Sequence, residues 1–302
     1  MSILAKFIEY SKNPTIETNY VVKNKFWEIL KLSSVVSLIS LVLSFIIQLV
    51  ASFFGYDFNG HFLTSLVSTE SSLYVFYLVC IQAPIIEELE FRLILRPNIR
   101  NIVVSVWLLL NELIFFNLFK AFEFNNLVPI IFYIINFLVL CYWLFERDSK
   151  KIKSTIAPKY YKHLYYLSII LFALGHFANY MDNSIWFLLP ILVLPQFISG
   201  FSLSFIRMHF GLKWSILFHA VENFVIIFPI LICKEAAIEI YESISDSKQI
   251  VPDLIYTLPL SNQFFYLSGV AISVIFILFG IYMSFLGIKE YFEYKKSLTY
   301  VE

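Results

Sequence analysis

The sequence predicts an all-α, polytopic membrane protein: a bundle of about eight transmembrane helices with both termini in the cytoplasm. Composition is the first reason. Of the 302 residues, 59% are hydrophobic and only 15% are charged, and the mean hydropathy is +0.77. A soluble protein of this length buries its core with far less apolar content. Isolated membrane-crossing segments satisfy their backbone hydrogen bonds only as helices, so no sheet is expected.

Eight apolar segments are the second reason, since a spanning helix needs roughly 20 apolar residues. The uncharged run that opens the first segment is longer than the ~7–15 residue core of a signal peptide, so we expect a retained helix and no cleaved signal. The spans cover residues 32–55, 72–96, 101–119, 125–145, 164–181, 184–206, 213–233 and 265–288. The predicted parts are a cytoplasmic N-terminal segment 1–31, a transmembrane domain 32–288 with an external loop 234–262, and a cytoplasmic tail 289–302.

The basic residues are the third reason. Of the 22 lysines and arginines, 19 fall in segments on the predicted cytoplasmic side, and the other three are Lys120, Lys234 and Lys248. This asymmetry follows the positive-inside rule and predicts a multi-pass protein of the cell membrane, in contact with the lipid bilayer. The formal net charge of 0 gives no field for nucleic acid, so no nucleic-acid partner is expected. Three widely separated cysteines form no disulfide or metal pattern.

Charged residues inside the second span form the first motif. Glu87, Glu88, Glu90 and Arg92 lie near its predicted inner end, and ionisable residues at such depth usually face the bundle interior with partners. Glu88 and Arg92 are four residues apart, so they share a helix face and can pair. Glu87 lies about 100° away around the helix, which directs it toward another helix.

The fifth and seventh spans each carry a second polar pattern. Phe172 and His176 are four residues apart, as are His219 and Asn223, with Glu222 on the flank of the latter face. A histidine and an asparagine at this spacing can ligate a metal, donate hydrogen bonds to an oxyanion, or make a polar contact between helices.

A depth count along the three helices brings these groups together. At 1.5 Å per residue, Glu87, His176, His219 and Asn223 reach similar depths from the cytoplasmic side, with His176 somewhat deeper. Four polar groups on three helices can therefore share one cavity. A glutamate buried among apolar residues with a histidine beside it can act as a general base.

The three motifs resemble those of the CPBP family of intramembrane proteases, which includes type II CAAX prenyl endopeptidases and abortive-infection and bacteriocin self-immunity proteins. The matched core spans about residues 72–233, and the three motifs occur within it in the expected order on three separate helices. The family patterns EExxxR, FxxxH and HxxxN match Glu87, Glu88 and Arg92, then Phe172 and His176, then His219 and Asn223.

The resemblance implies an endopeptidase that cleaves a membrane-associated or lipidated peptide or protein. It implies that Glu87 and His176 activate a water, and that His219 and Asn223 stabilise the oxyanion or help to hold a metal. Glu88, Arg92 and Phe172 would support the site. Zinc held by Glu87, His176, His219 and Asn223 and a metal-free, glutamate-dependent reaction both remain open, although asparagine is an uncommon zinc ligand and no HExxH is present.

The sequence leaves two alternative functions open in addition to the protease. One is a non-catalytic immunity or scaffold protein of the same fold, which the complete motif set disfavours. The other is a proton-coupled transporter, which the absence of a sequence repeat disfavours. Glu90, Glu112 and Glu222 receive no role, and an ionised Glu222 beside the oxyanion would oppose catalysis.

Overall fold

The computed structural model describes residues 1–16, 18, 20–54, 62–111, 131, 135, 158–180, 187–247 and 259–299. All regular secondary structure in these residues is helical, which confirms the predicted all-α class. Apart from the isolated positions 131 and 135, the predicted span 125–145 lies outside the described residues, and so does Glu112.

The helices follow one another closely along the chain. A π-helical turn, Tyr77–Gln82, joins α4 to α5, and 3₁₀ turns at Leu93–Leu95 and His176–Asn179 follow α5 and α7. In chain order the α-helices are α1 (Ile3–Lys12), α2 (Lys25–Phe53), α3 (Phe62–Thr69), α4 (Ser72–Phe76), α5 (Ala83–Phe91), α6 (Ile99–Leu110), α7 (Pro158–Gly175), α8 (Leu189–Leu192), α9 (Leu194–Phe210), α10 (Leu212–Ser247) and α11 (Leu260–Thr299).

Four helical stretches in the described part of the chain are long and apolar enough to cross a membrane. They are Lys25–Phe53, Ser72–Leu95, Leu212–Lys234 and Leu260–Thr299, and the second runs from α4 through the π turn to the 3₁₀ turn after α5. These stretches indicate a membrane protein. The count of eight spans and the cytoplasmic placement of both termini stay predictions.

The membrane helices extend beyond the apolar segments and include the charged residues that flank them. α2 begins at Lys25 rather than at residue 32, because Lys31 is paired within the fold. Its Nζ atom donates to Glu28 Oε1 at 2.6 Å and to Glu290 of α11 at 2.7 Å. A lysine whose charge is paired in this way can lie on a packed helix at a lower free-energy cost than an unpaired one.

α10 likewise continues past the point where a loop was predicted. It runs to Ser247, so the predicted external loop 234–262 is corrected: its first part is helical. Lys234 Nζ donates to the Glu70 carbonyl at 2.6 Å, which holds the charge against a neighbouring helix end. α11 also exceeds the predicted 265–288, since it spans Leu260–Thr299.

The predicted N-terminal segment 1–31 contains a helix that packs on the bundle. Ser2 caps α1 by accepting the Ala5 N–H at 3.3 Å. Ile3 is fully buried, and Tyr10 donates its hydroxyl to the Thr15 carbonyl at 2.8 Å. The N-terminal segment therefore belongs to the folded core.

α9 is the central helix beside the site. Leu203, Phe205, Ile206 and Met208 on this helix are fully buried. α9 ends at Gly211, whose φ of 105° lies in the left-handed region that favours glycine. This turn lets α10 start at once and fold back along α9.

The end of α5 is anchored to α7 and α9 through its terminal carbonyls. The last carbonyls of a helix lack intrahelical donors. Ser168 of α7 donates to the Phe91 carbonyl, and Arg207 Nε of α9 donates to the Arg92 carbonyl at 3.1 Å. These two bonds fix the helix that carries the first motif against the other two elements of the core.

Candidate active site

The Glu87 carboxylate lies between two imidazole rings. Its Oε2 atom is 3.9 Å from His176 Nε2 and 3.7 Å from His219 Nε2. Within the described part of the chain, this oxygen is buried and has no hydrogen-bond partner. Both separations are too long for direct hydrogen bonds. Three of the predicted site residues therefore meet at one point.

His176 is oriented by the first residue of its own motif. Its Nδ1 atom is 2.9 Å from the Phe172 carbonyl, and a carbonyl oxygen can only accept, so Nδ1 carries the proton. The other nitrogen, Nε2, then faces Glu87. The α-helix gives way to a 3₁₀ turn at His176, whereas the sequence predicted one continuous span over 164–181.

His219 is oriented by Glu88, a contact that the sequence did not predict. Its Nδ1 atom lies 3.1 Å from Glu88 Oε1, which leaves Nε2 directed at Glu87. Glu88 is fully buried. Its other oxygen accepts a hydrogen bond from the Ser215 hydroxyl one turn earlier on α10. The second glutamate of the motif is thus bonded directly to a site histidine.

The predicted pairing of Glu88 with Arg92 is confirmed. Arg92 Nε lies 3.6 Å from Glu88 Oε1, and both side chains are fully buried. This distance makes an ion pair but exceeds a good hydrogen bond. A buried carboxylate needs a cation nearby to remain ionised at acceptable cost, and Arg92 supplies it.

The contacts of Phe172 explain why the residue four positions before His176 is aromatic. The guanidinium carbon of Arg92 lies 3.7 Å from the Phe172 ring centroid, close enough for a strong cation–π interaction in a buried setting. The same ring meets His176 and His219 edge to face, with centroid distances of 4.8 and 5.9 Å. Phe172 therefore packs Arg92 and both histidines together.

Asn223 does not join the other predicted site residues through its amide nitrogen. Its Nδ2 atom donates to the Val79 carbonyl of the π turn at 2.8 Å. One of its two N–H donors is therefore bound to the backbone of the turn. His219 and Asn223 share one face of α10, as their spacing predicts. On this face His219 contacts Glu87 and Glu88, and Asn223 contacts the π turn that precedes these glutamates.

The additional carboxylates have separate surroundings. Glu222 Oε2 accepts a hydrogen bond of 2.8 Å from Ser199 of α9, so it is held toward α9. Glu90 is buried on α5. Neither carboxylate receives a role in the reaction.

The residues as placed do not fit a zinc site. Among the described residues, no group of three or more His, Cys, Asp and Glu side chains is arranged to hold a metal ion. Tetrahedral donors at about 2.0–2.1 Å from zinc stand roughly 3.3–3.4 Å apart. The separations from Glu87 Oε2 to the two imidazoles, 3.7 and 3.9 Å, are wider.

The fold and site define a helical membrane protein with a partly enclosed cluster of one glutamate and two histidines. Comparison with protein-family models, with curated proteins and with solved structures finds no match to this chain.

Proposed function

We propose that this chain is an intramembrane endopeptidase of the CPBP type that hydrolyses a peptide bond of a membrane-associated or lipidated peptide or protein. The observation that carries the proposal is the position of Glu87 Oε2 between the Nε2 atoms of His176 and His219. The three sequence motifs support it independently. The long apolar helices support a reaction at a membrane.

The first step is attack by a water molecule held by Glu87. The carboxylate accepts one proton of the water, and His176 Nε2 accepts a hydrogen bond from the other because its Nδ1 proton is donated to Phe172. The water oxygen forms a bond to the peptide carbonyl carbon, and the carbonyl π electrons move to its oxygen. General-base assistance of this kind contributes typically about 10²–10⁴-fold to a rate.

The second step is stabilisation and collapse of the tetrahedral intermediate. His219 in its protonated form donates from Nε2 to the oxyanion, while Glu88 holds Nδ1 and balances the charge. The oxyanion electrons then re-form the carbonyl, the C–N bond breaks, and the proton held by Glu87 passes to the leaving nitrogen. The products are a carboxylic acid and an amine.

The position of the site favours a substrate that resides at the membrane. Glu87 and His176 keep about a quarter and a fifth of their side-chain surface accessible, 24% and 21%, so the cluster is reachable but enclosed. The helices that carry Glu87 and His219 are apolar over lengths that cross a bilayer. A peptide with an apolar or lipidated portion partitions into such surroundings more readily than a soluble one.

A comparison of membrane peptides tests this function and identifies the substrate. Cells carrying the wild-type chain and cells carrying Glu87→Gln are compared by mass spectrometry, with Glu90→Gln on the same helix as the matched control. We expect an uncleaved peptide to accumulate only with Glu87→Gln, at equal protein level in the membrane. Identical peptides in all three strains would contradict the proposal and favour a non-catalytic scaffold.

A further inference from the structure

The π turn before α5 leaves one carbonyl without a main-chain donor. The N–H of Ala83 donates to the Leu78 carbonyl, five residues back, as in a π-helix. In an α-helix it would donate to Val79 instead. The π-type donor to Val79 would be residue 84, which is a proline and has no N–H. In the π turn, therefore, the Val79 carbonyl has neither the Ala83 N–H nor an N–H from residue 84 as its partner.

Asn223 of α10 fills this role from a neighbouring helix. Its Nδ2 atom donates to the Val79 carbonyl at 2.8 Å. An unsatisfied carbonyl inside an apolar bundle is costly, so the bond stabilises the π form of the turn. His219, four residues earlier on α10, contacts both glutamates of the first motif. One helix face thus holds the turn and the residues that follow it.

The π turn sets the rotation of the two adjacent glutamates about the helix axis. A π turn inserts one extra residue, and one residue corresponds to about 100° around a helix. Glu87 and Glu88 are adjacent and have different surroundings. Glu87 faces the Nε2 atoms of both histidines. Glu88 is fully buried against Arg92, Ser215 and the Nδ1 atom of His219. Loss of the extra residue would rotate α5 relative to α4 by one such step.

We propose that Asn223 is a positioning residue: together with Pro84 it maintains the π turn. The turn sets the rotation of α5 at which Glu87 faces the Nε2 atoms of His176 and His219 while Glu88 bonds to His219 Nδ1. This inference rests on the proposed function, in which Glu87 is the general base. It assigns Asn223 a role through the backbone of Val79, in place of the oxyanion contact or metal ligation expected from the sequence.

The test is a cycle of Asn223→Ala, Pro84→Ala and the double variant. Alanine at position 84 restores an N–H that can donate to Val79, so the turn no longer needs Asn223. We expect Asn223→Ala to lower kcat by up to about 100-fold with KM unchanged, as misplacement of a catalytic group does. In the Pro84→Ala background, adding Asn223→Ala should change kcat by no more than about threefold relative to Pro84→Ala alone.

A second readout follows the placement of residue 87 without requiring proteolysis. Each variant is combined with Glu87→Cys, and modification by a water-soluble thiol reagent is followed on the peptide containing residue 87 by mass spectrometry. Asn223→Ala should slow this labelling, and Pro84→Ala should restore it. Asn111→Ala is the matched control, because it removes a similar amide-to-carbonyl bond, to Trp107 at 2.7 Å, and should leave labelling unchanged.

Three other outcomes would overturn the inference. Equal loss of turnover in both backgrounds with unchanged labelling would make Asn223 a direct substrate contact. Reduced thermal stability with normal turnover and labelling of the folded fraction would make it merely structural. Slow labelling in the Pro84→Ala variant alone would refute the role assigned to the turn. If labelling behaves as expected while no form of the protein cleaves any peptide, the placement of Glu87 stands and the proposed protease function fails.

Discussion

His219 donates its Nδ1 proton to Glu88 across 3.1 Å, and this bond directs the opposite ring nitrogen at Glu87. A buried carboxylate that orients an imidazole fixes both its tautomer and its angle. Glu88 is itself held by Ser215 and charge-balanced by Arg92. The two adjacent glutamates therefore have distinct tasks: Glu87 faces the reaction, and Glu88 orients a histidine.

Removing Arg92 should destabilise the protein and also lower activity. Arg92→Ala leaves Glu88 buried without its cation, which typically costs roughly 3–5 kcal/mol of folding free energy. The measurement is thermal unfolding of the purified protein in detergent, together with peptide hydrolysis. A double change, Glu88→Leu with Arg92→Met, should regain much of the stability and remain inactive, because His219 has lost its orienting carboxylate. An Arg92→Ala variant as stable as wild type would refute the buried pair.

The Phe172 ring should matter beyond its volume. Phe172→Leu keeps an apolar side chain but removes the aromatic face under Arg92, so we expect a loss of about 2 kcal/mol in unfolding free energy and lower turnover. Phe172→Tyr keeps the aromatic face and serves as the control for this interaction. The measurement is the unfolding midpoint of both variants in the same detergent. Equal stability of Phe172→Leu and wild type would contradict the cation–π contact.

The close approach of α9 and α7 at Gly200 should not tolerate a methyl group. A Cβ at this position would lie 3.0 Å from Ile169 Cγ2 and 3.3 Å from Phe172 Cδ1. Gly200→Ala should therefore cost about 1–3 kcal/mol through overpacking. Gly280→Ala on α11 is the matched control, because nothing lies within 4 Å of its added Cβ. There the higher helix propensity of alanine should give a neutral or slightly stabilising change. Similar effects at both positions would contradict the predicted contact.

Activity should survive removal of metal. The donors around Glu87 are too widely spaced for zinc, and the proposed reaction uses only protein groups and water. We therefore expect full hydrolysis after dialysis against a chelator, with bound metal measured by mass spectrometry. Loss of activity that returns when zinc is added would overturn the metal-free mechanism.

Local spacing was enough to predict the Glu88–Arg92 pair, because both residues stand on one helix four positions apart. The bond from His219 to Glu88 was beyond such reasoning, since it depends on how α10 lies against α5. The same holds for Phe172, whose contact with Arg92 joins α7 to α5. Spacing within one helix predicts shared faces, while contacts between helices require the packed fold.

The π turn is the feature that a closer examination of the sequence would have suggested. Pro84 inside an apolar helix removes a backbone donor, and a local change of helix type is a common response. The helices pass beyond their predicted limits for a different reason: Lys31 and Lys234 flank the predicted spans, yet each has a partner elsewhere in the fold. Pairing between distant segments decides whether a charge ends a helix.

The most direct measurement is hydrolysis of the accumulated peptide by purified protein in lipid vesicles, comparing wild type, Glu87→Gln and Glu90→Gln. The account predicts that Glu87→Gln lowers kcat by about 10²–10⁴-fold while the protein stays folded and binds the peptide as before. Glu90→Gln should retain the wild-type rate. Hydrolysis by Glu87→Gln at the wild-type rate would contradict the assignment of Glu87 as the general base.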